Sequence, residues 1–199
     1  MSETVKKPNQ TPESYSPKKP TILSMAEESP NSYRSITEVK AFSKQFEIYK
    51  MPASRVIGKA FIHHPGQNAV PFVEESLASS EWPIILNLPR VISDADCGWT
   101  CEYLPETDSF TYIVSVLTPA QTPVPDGCQY RDVPETLVAF GLRGENMDLV
   151  RAKMEDWGYT TNHESPGCCW NAEFYFEEEC KMYPGENNEH WIMPCKIRR

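Results

Sequence analysis

Apolar positions are scattered without period through residues 1–43, and five prolines fall within the first thirty. Such a stretch buries too little surface to offset the entropy of ordering it, so it is expected to form a disordered Pro/Ser/Lys-rich tail ahead of one globular unit, residues 44–199. The pattern changes at Phe46. There FEIYKMPASRVIGKAFIHHPG, dense in β-branched and aromatic residues and broken at Pro52, predicts an extended lead-in and then a strand over about 54–63. Val70, Val73 and Leu77 recur at steps of three and four behind Asn68, a residue suited to an N-cap, with Pro71 where a first helical turn tolerates it. They predict a helix over about 69–80. GWTCEYLPETDSFTYIVSVL then holds two β-type segments around the turn-forming PETD, a hairpin over about 98–104 and 109–117.

The same order then repeats. YRDVPETLVAFGLRG is a second proline-broken strand, and MDLVRAKMEDWG places Met147, Val150, Met154 and Trp157 on one helical stripe with Gly158 in the stop position. WNAEFYFEEE and EHWIMPCKI read as two further strands joined by the turn-rich CKMYPGENN, the Glu177–Glu179 run being taken as a solvated strand end. Met51-Pro52 ahead of SRVIGK echoes Val133-Pro134 ahead of TLVAFG, about 82 residues further on. Two β-α-β-β units, each too small to bury both faces of its sheet, are expected to pair into one α+β body. The seam between such halves is a favoured place for a small-molecule cavity.

Charge narrows the partners. The first 45 residues carry seven Lys/Arg and five Asp/Glu, which leaves twelve basic and twenty-three acidic residues in the body. An acidic body repels phosphate backbones, so nucleic acid is not expected as a partner of this chain alone, in spite of the single SPKK at Ser16 to Lys19. No apolar run of membrane-spanning length occurs, and Lys6 and Lys7 are not followed by the apolar region of a secretory signal. Seven cysteines, an odd number, suit a reducing compartment and free thiols; the expected location is the cytoplasm. Cys97 with Cys101, Cys168 with Cys169, and His63 with His64 lack the paired spacing of a zinc site, and Cys168, Cys169 and His163 lack a third orienting residue for nucleophilic catalysis. No phosphate-binding glycine loop is present, and neither metal nor cofactor is called for.

The ordered set of segments resembles the GyrI-like family, also known as the AraC-type or bacterial transcription-activator effector-binding domain. The residues that carry the likeness are the MPASRVIG opening strand, Tyr112, Val114 and Val116 on a later strand, VPETLVAF, the Glu173-Phe174-Tyr175 strand and the closing WIMPCKI, together covering about residues 44–198. The resemblance implies a duplicated β-α-β-β fold whose pseudo-twofold groove binds small, often apolar or cationic aromatic molecules. Some members are fused to DNA-binding domains, others stand alone, and some of the latter hydrolyse reactive small molecules. With no helix-turn-helix region before residue 44, this chain is similar to the stand-alone members rather than to a direct transcription factor.

Side chains alternate along a strand, so Trp170, Ala172, Phe174 and Phe176 share one face of WNAEFYF while Asn171, Glu173 and Tyr175 share the other. The apolar set is expected to pack on the helices, and Phe140 to belong to the core. The resemblance then puts Glu173 and Tyr175 in the groove, with Tyr112, Trp99 and Trp191 as further ligand-binding candidates. Ionised, Glu173 would complement a ligand cation stacked on nearby rings. With its pKa raised by desolvation, it could act with Tyr175 as general acid or base on a reactive metabolite, in a hydrolase or an isomerase or cyclase. A third reading is a protein-interaction or inhibitor module working through the acidic face.

Overall fold

The computed structural model describes residues 33–164 and 167–199. The architecture is α+β, with one curled antiparallel sheet. In chain order the strands are β1 (Glu47–Met51), β2 (Ser54–His63), β3 (Ala95–Leu104), β4 (Ser109–Pro119), β5 (Gln129–Val133), β6 (Thr136–Phe140), β7 (Tyr159–Thr161), β8 (Trp170–Phe176) and β9 (His190–Ile197). The helices are α1 (Val70–Leu77), α2 (Trp82–Leu86), α3 (Met147–Asp156) and α4 (Glu177–Met182).

The sheet order β1-β6-β9-β8-β3-β4-β2-β5 is a palindrome about the β8·β3 pair, with β7 lying alongside β9. Each half therefore repeats one arrangement, as the sequence echo predicts. The proline breaks do more than divide the strands. β1 pairs with β6 of the second half, whereas β2, just beyond Pro52, pairs with β4 of its own half and with β5, the leading strand of the second. Pro134 separates β5 from β6 in the same way. A proline has no N–H to give to a ladder, so pairing ends there and the chain crosses to the other half. Each half thus lends its leading strand to its partner.

One face of the sheet carries the largest core, drawn from both halves: Trp99, Ile113, Leu117, Phe140, Trp170, Ala172, Phe174 and Phe176 lie in it with Ile36, Val39, Val91 and Ile92. The apolar side of β8 accordingly packs on this core and not on α1–α3, as alternation alone suggested. Glu102, at a bulge in β3, takes two hydrogen bonds of 2.5 and 2.8 Å from Arg131 on β5, two strands beyond β4, so the sheet is curled over this face. The other face holds two separate helical clusters. Trp82 and Ile85 of α2, with Phe72 and Val73 of α1, cover Tyr112, Val114 and Val116; Val150 and Met154 of α3 cover Ala139, Met193 and Trp191. Between these clusters run β3 and β8.

Local chemistry accounts for the helix boundaries. Asn146 Oδ1 accepts from the Leu149 N–H at 2.9 Å to cap α3, and Gly158, at φ +86°, ends it. Asn68 Oδ1 accepts from Val70 N–H at 2.9 Å, a turn just outside α1, whose N-cap position is Ala69. Residues 33–43, expected in the tail, instead carry a 3₁₀ turn (Ile36–Glu38) that fully buries Ile36 in the main core; the remainder of the expected tail, with its SPKK, lies outside the described residues. Glu177, Glu178 and Glu179 are not a strand end: they open α4, and Glu179 is fully buried. Among the described residues no helix is long and apolar enough to cross a membrane.

Candidate functional site

On the helix-bearing face, strand register sets four residues side by side: Trp191 on β9, Glu173 on β8, Gly98 on β3 and Val114 on β4. Tyr112, two residues from Val114 and on the same face, leans back across β3, and its Oη donates to Glu173 Oε1 at 2.6 Å. Gly98 permits that bond. A Cβ at Gly98 would stand 2.1 Å from Tyr112 Oη and 2.7 Å from Glu173 Oε1, well inside contact distance. A glycine inside a strand commonly marks such a close approach, and this was the signal in CGW for a site residue that sequence reasoning missed.

Glu173 is half-buried, and loss of water holds its carboxyl above the ordinary glutamate range; hydrogen bonds from Tyr112 and, more weakly, Tyr175 pull the other way, and the nearby Glu189 charge raises it further. Burial first, then the Glu173 charge and hydrogen bond, push the Tyr112 and Tyr175 hydroxyls far up, so both remain phenols that donate. Among the described residues Glu173 takes part in no ion pair. A half-buried carboxylate is thereby oriented by hydroxyls without being neutralised by a cation.

The structure brings together four of the five candidates. Tyr112, Glu173, Tyr175 and Trp191 share this face; Trp191 is half-buried against the α3 cluster, and its Nε1 donates to Glu189 Oε1 at 3.0 Å. Trp99 does not join them. It sits opposite Ala172, fully buried on the other face, its ring 4.2 Å from that of Trp170, and so belongs to the core. Around Tyr112 stand rings that the sequence reading did not place at this site: Phe61 stacks on Phe72 with centroids 4.8 Å apart, and His63 on Phe110 at 4.5 Å. Two surface cavities, of about 790 Å³ beside Glu135–Leu137 and Cys195–Arg199 and about 510 Å³ beneath Lys40–Gln45, are lined by none of these groups.

A desolvated carboxylate among aromatic rings can hold a cation or exchange a proton. A metal would need more ligands, and among the described residues no group of three His, Cys, Asp or Glu is placed to hold one.

The chain has the fold of the GyrI-like effector-binding domains. SAV2435, solved bound to tetraphenylphosphonium, matches with a TM-score of 0.52 and 12% identity, over 76% of this chain and 94% of that one. A candidate bacterial transcription regulation protein from Staphylococcus aureus MU50 matches with a TM-score of 0.46 and 9% identity, over 79% of this chain and all of that one. EcmrR, solved in a DNA complex, matches at 0.46 and 14%, over 77% of this chain and 57% of its own. No protein-family model and no curated protein matches the sequence.

Proposed function

We propose that this protein binds a small apolar or cationic aromatic molecule at the seam between its halves, with Glu173 as the electrostatic anchor and Tyr112, Tyr175 and Trp191 as the aromatic surround. The observation that carries this reading is the half-buried Glu173 carboxylate, oriented by Tyr112 Oη at 2.6 Å and paired with no cation among the described residues. A cationic ligand would supply the missing charge, and rings beside it add cation–π attraction. The tetraphenylphosphonium held by SAV2435 is a molecule of this kind. The protein then works as a cytoplasmic small-molecule receptor rather than by contacting nucleic acid itself.

Thermal-shift screening with tetraphenylphosphonium and flat cationic dyes tests the proposal, because a ligand that binds the folded state raises the melting temperature. The wild type is expected to shift and Glu173→Gln to lose the shift. An equal shift in both proteins would remove Glu173 from the site.

One observation favours a second reading, in which Glu173 is a general acid or base of a hydrolase, isomerase or cyclase. Its carboxyl is held above the ordinary range beside Tyr175, the direction in which a carboxyl becomes a better proton acceptor. In that case Glu173→Gln keeps ligand affinity and abolishes product formation, the opposite split from the one above.

A further inference from the structure

The strands of the helix-bearing face neutralise nearly all their charges in place. Lys59 pairs with Glu81 at 3.3 Å, Asp96 with Arg90 at 3.0 Å, Lys50 with Glu135 at 3.0 Å and Arg55 with Asp132 at 2.7 Å. Glu173 and Glu189 differ from these: among the described residues neither belongs to an ion pair. Their positions are related. Trp191 lies directly opposite Glu173, and Glu189 sits two residues before Trp191, one residue ahead of β9; continuing the β8·β9 register past its last pair, Phe174 with His190, puts Glu189 on the diagonal from Glu173, close enough for its charge to act there. Diagonal Cβ atoms on adjacent strands lie roughly 7–8 Å apart. Acid and ring therefore alternate around a small square, with Tyr175 next to Glu173 on β8 and Trp191 next to Glu189 on the β9 side.

Glu189 is also oriented. Trp191 Nε1 at 3.0 Å and Asn187 Nδ2 at 3.1 Å both donate to its Oε1, and the donors fix the carboxylate without supplying a charge. Two uncompensated carboxylates one diagonal apart repel each other, and a single ligand cation can sit close to only one of them. We propose that Glu189 is a second anchor of the Glu173 site and selects flat aromatic ligands that carry two cationic centres about one strand diagonal apart. This rests on the reading of Glu173 as a ligand anchor and adds the ligand class to it.

A matched pair of probes separates the two ideas. Methyl viologen and N-methyl-4-phenylpyridinium have the same two linked rings, with two charges in the first and one in the second. Calorimetric titration of the wild type should give about fivefold tighter binding of methyl viologen, the effect of one added half-exposed charge pair. Glu189→Gln should bring the two probes to parity by weakening the dication alone, and Glu189→Asp, which keeps the charge, should retain a preference. If both probes bind through Glu173 with no preference, or Glu189→Gln weakens both alike, the second anchor is wrong and the first stands. If neither probe binds, both readings fall. If Glu189→Gln lowers the melting temperature, high salt serves in its place: the wild-type preference must shrink as ionic strength screens the second pair, and a preference that persists overturns the proposal.

Discussion

Gly98 is the most exacting residue of the site, since a methyl group there would occupy the space in which Tyr112 Oη and Glu173 Oε1 meet. Gly98→Ala is expected to destabilise the fold by about 1–3 kcal/mol, read from denaturant melts, because one of the two side chains must leave its place. Tyr112→Phe removes the hydroxyl that lowers the Glu173 pKa, so the carboxyl titration followed by NMR should move upward. The pH dependence has a definite sign. Glu173 binds its proton more tightly folded than unfolded, so the stability it contributes is full below the unfolded pKa and is lost as pH rises through the folded one. Glu173→Gln should accordingly melt higher than wild type at neutral pH and lose that advantage at acid pH. At this scale alternation along WNAEFYF was enough to place Glu173 and Tyr175 on one face. It could not place Trp99, because which side chains meet across strands depends on register, which no periodicity within one strand encodes. Glu189 was missed for the same reason: it comes near Glu173 only because β9, which it precedes by one residue, pairs with β8.

The elements the sequence announced were those long enough to show a period. β2 spans Ser54–His63 as expected, and α3 buries Val150 and Met154 on the stripe read from its sequence. α2 has five residues and α4 six, too few to display a helical repeat, and each was absorbed into neighbouring irregular or extended text. α4 shows what such an omission conceals. Its Glu179 and His190 at the start of β9 are both fully buried and 2.6 Å apart, His190 Nδ1 lies 3.1 Å from the Gly141 carbonyl, and Glu179 Oε1 accepts from the Phe42 N–H. The pair joins α4, β9, the β6–α3 loop and the segment before β1. Glu179→Ala should destabilise the protein by about 3–5 kcal/mol in denaturant unfolding, since it leaves the buried imidazole without its partner and the Phe42 N–H without its acceptor. Asn146→Ala, which removes only the cap of α3, should cost about 1 kcal/mol in the same measurement.

For the molecule as a whole, the duplication was legible in the letters, whereas the exchange of β1 and β5 between halves was not, because a strand's choice of neighbour is decided by tertiary packing. That exchange has an energetic consequence. Neither half owns its complete set of partners, and the main core draws on both, so unfolding should be one cooperative transition with coincident curves from far-ultraviolet circular dichroism and tryptophan fluorescence. A fragment ending at Cys128 would lose β6, β5 and β8, one partner each of β1, β2 and β3, and should show no cooperative transition. The same joining of halves puts Glu173 at the centre of the sheet, beside the β8·β3 axis, where a ligand would touch both halves at once. Titration calorimetry of tetraphenylphosphonium against wild type and Glu173→Gln, at a pH where Glu173 is ionised, tests this account most directly. Binding by the wild type and a loss of about tenfold or more in the variant is the predicted result; equal affinity in the two proteins would contradict it.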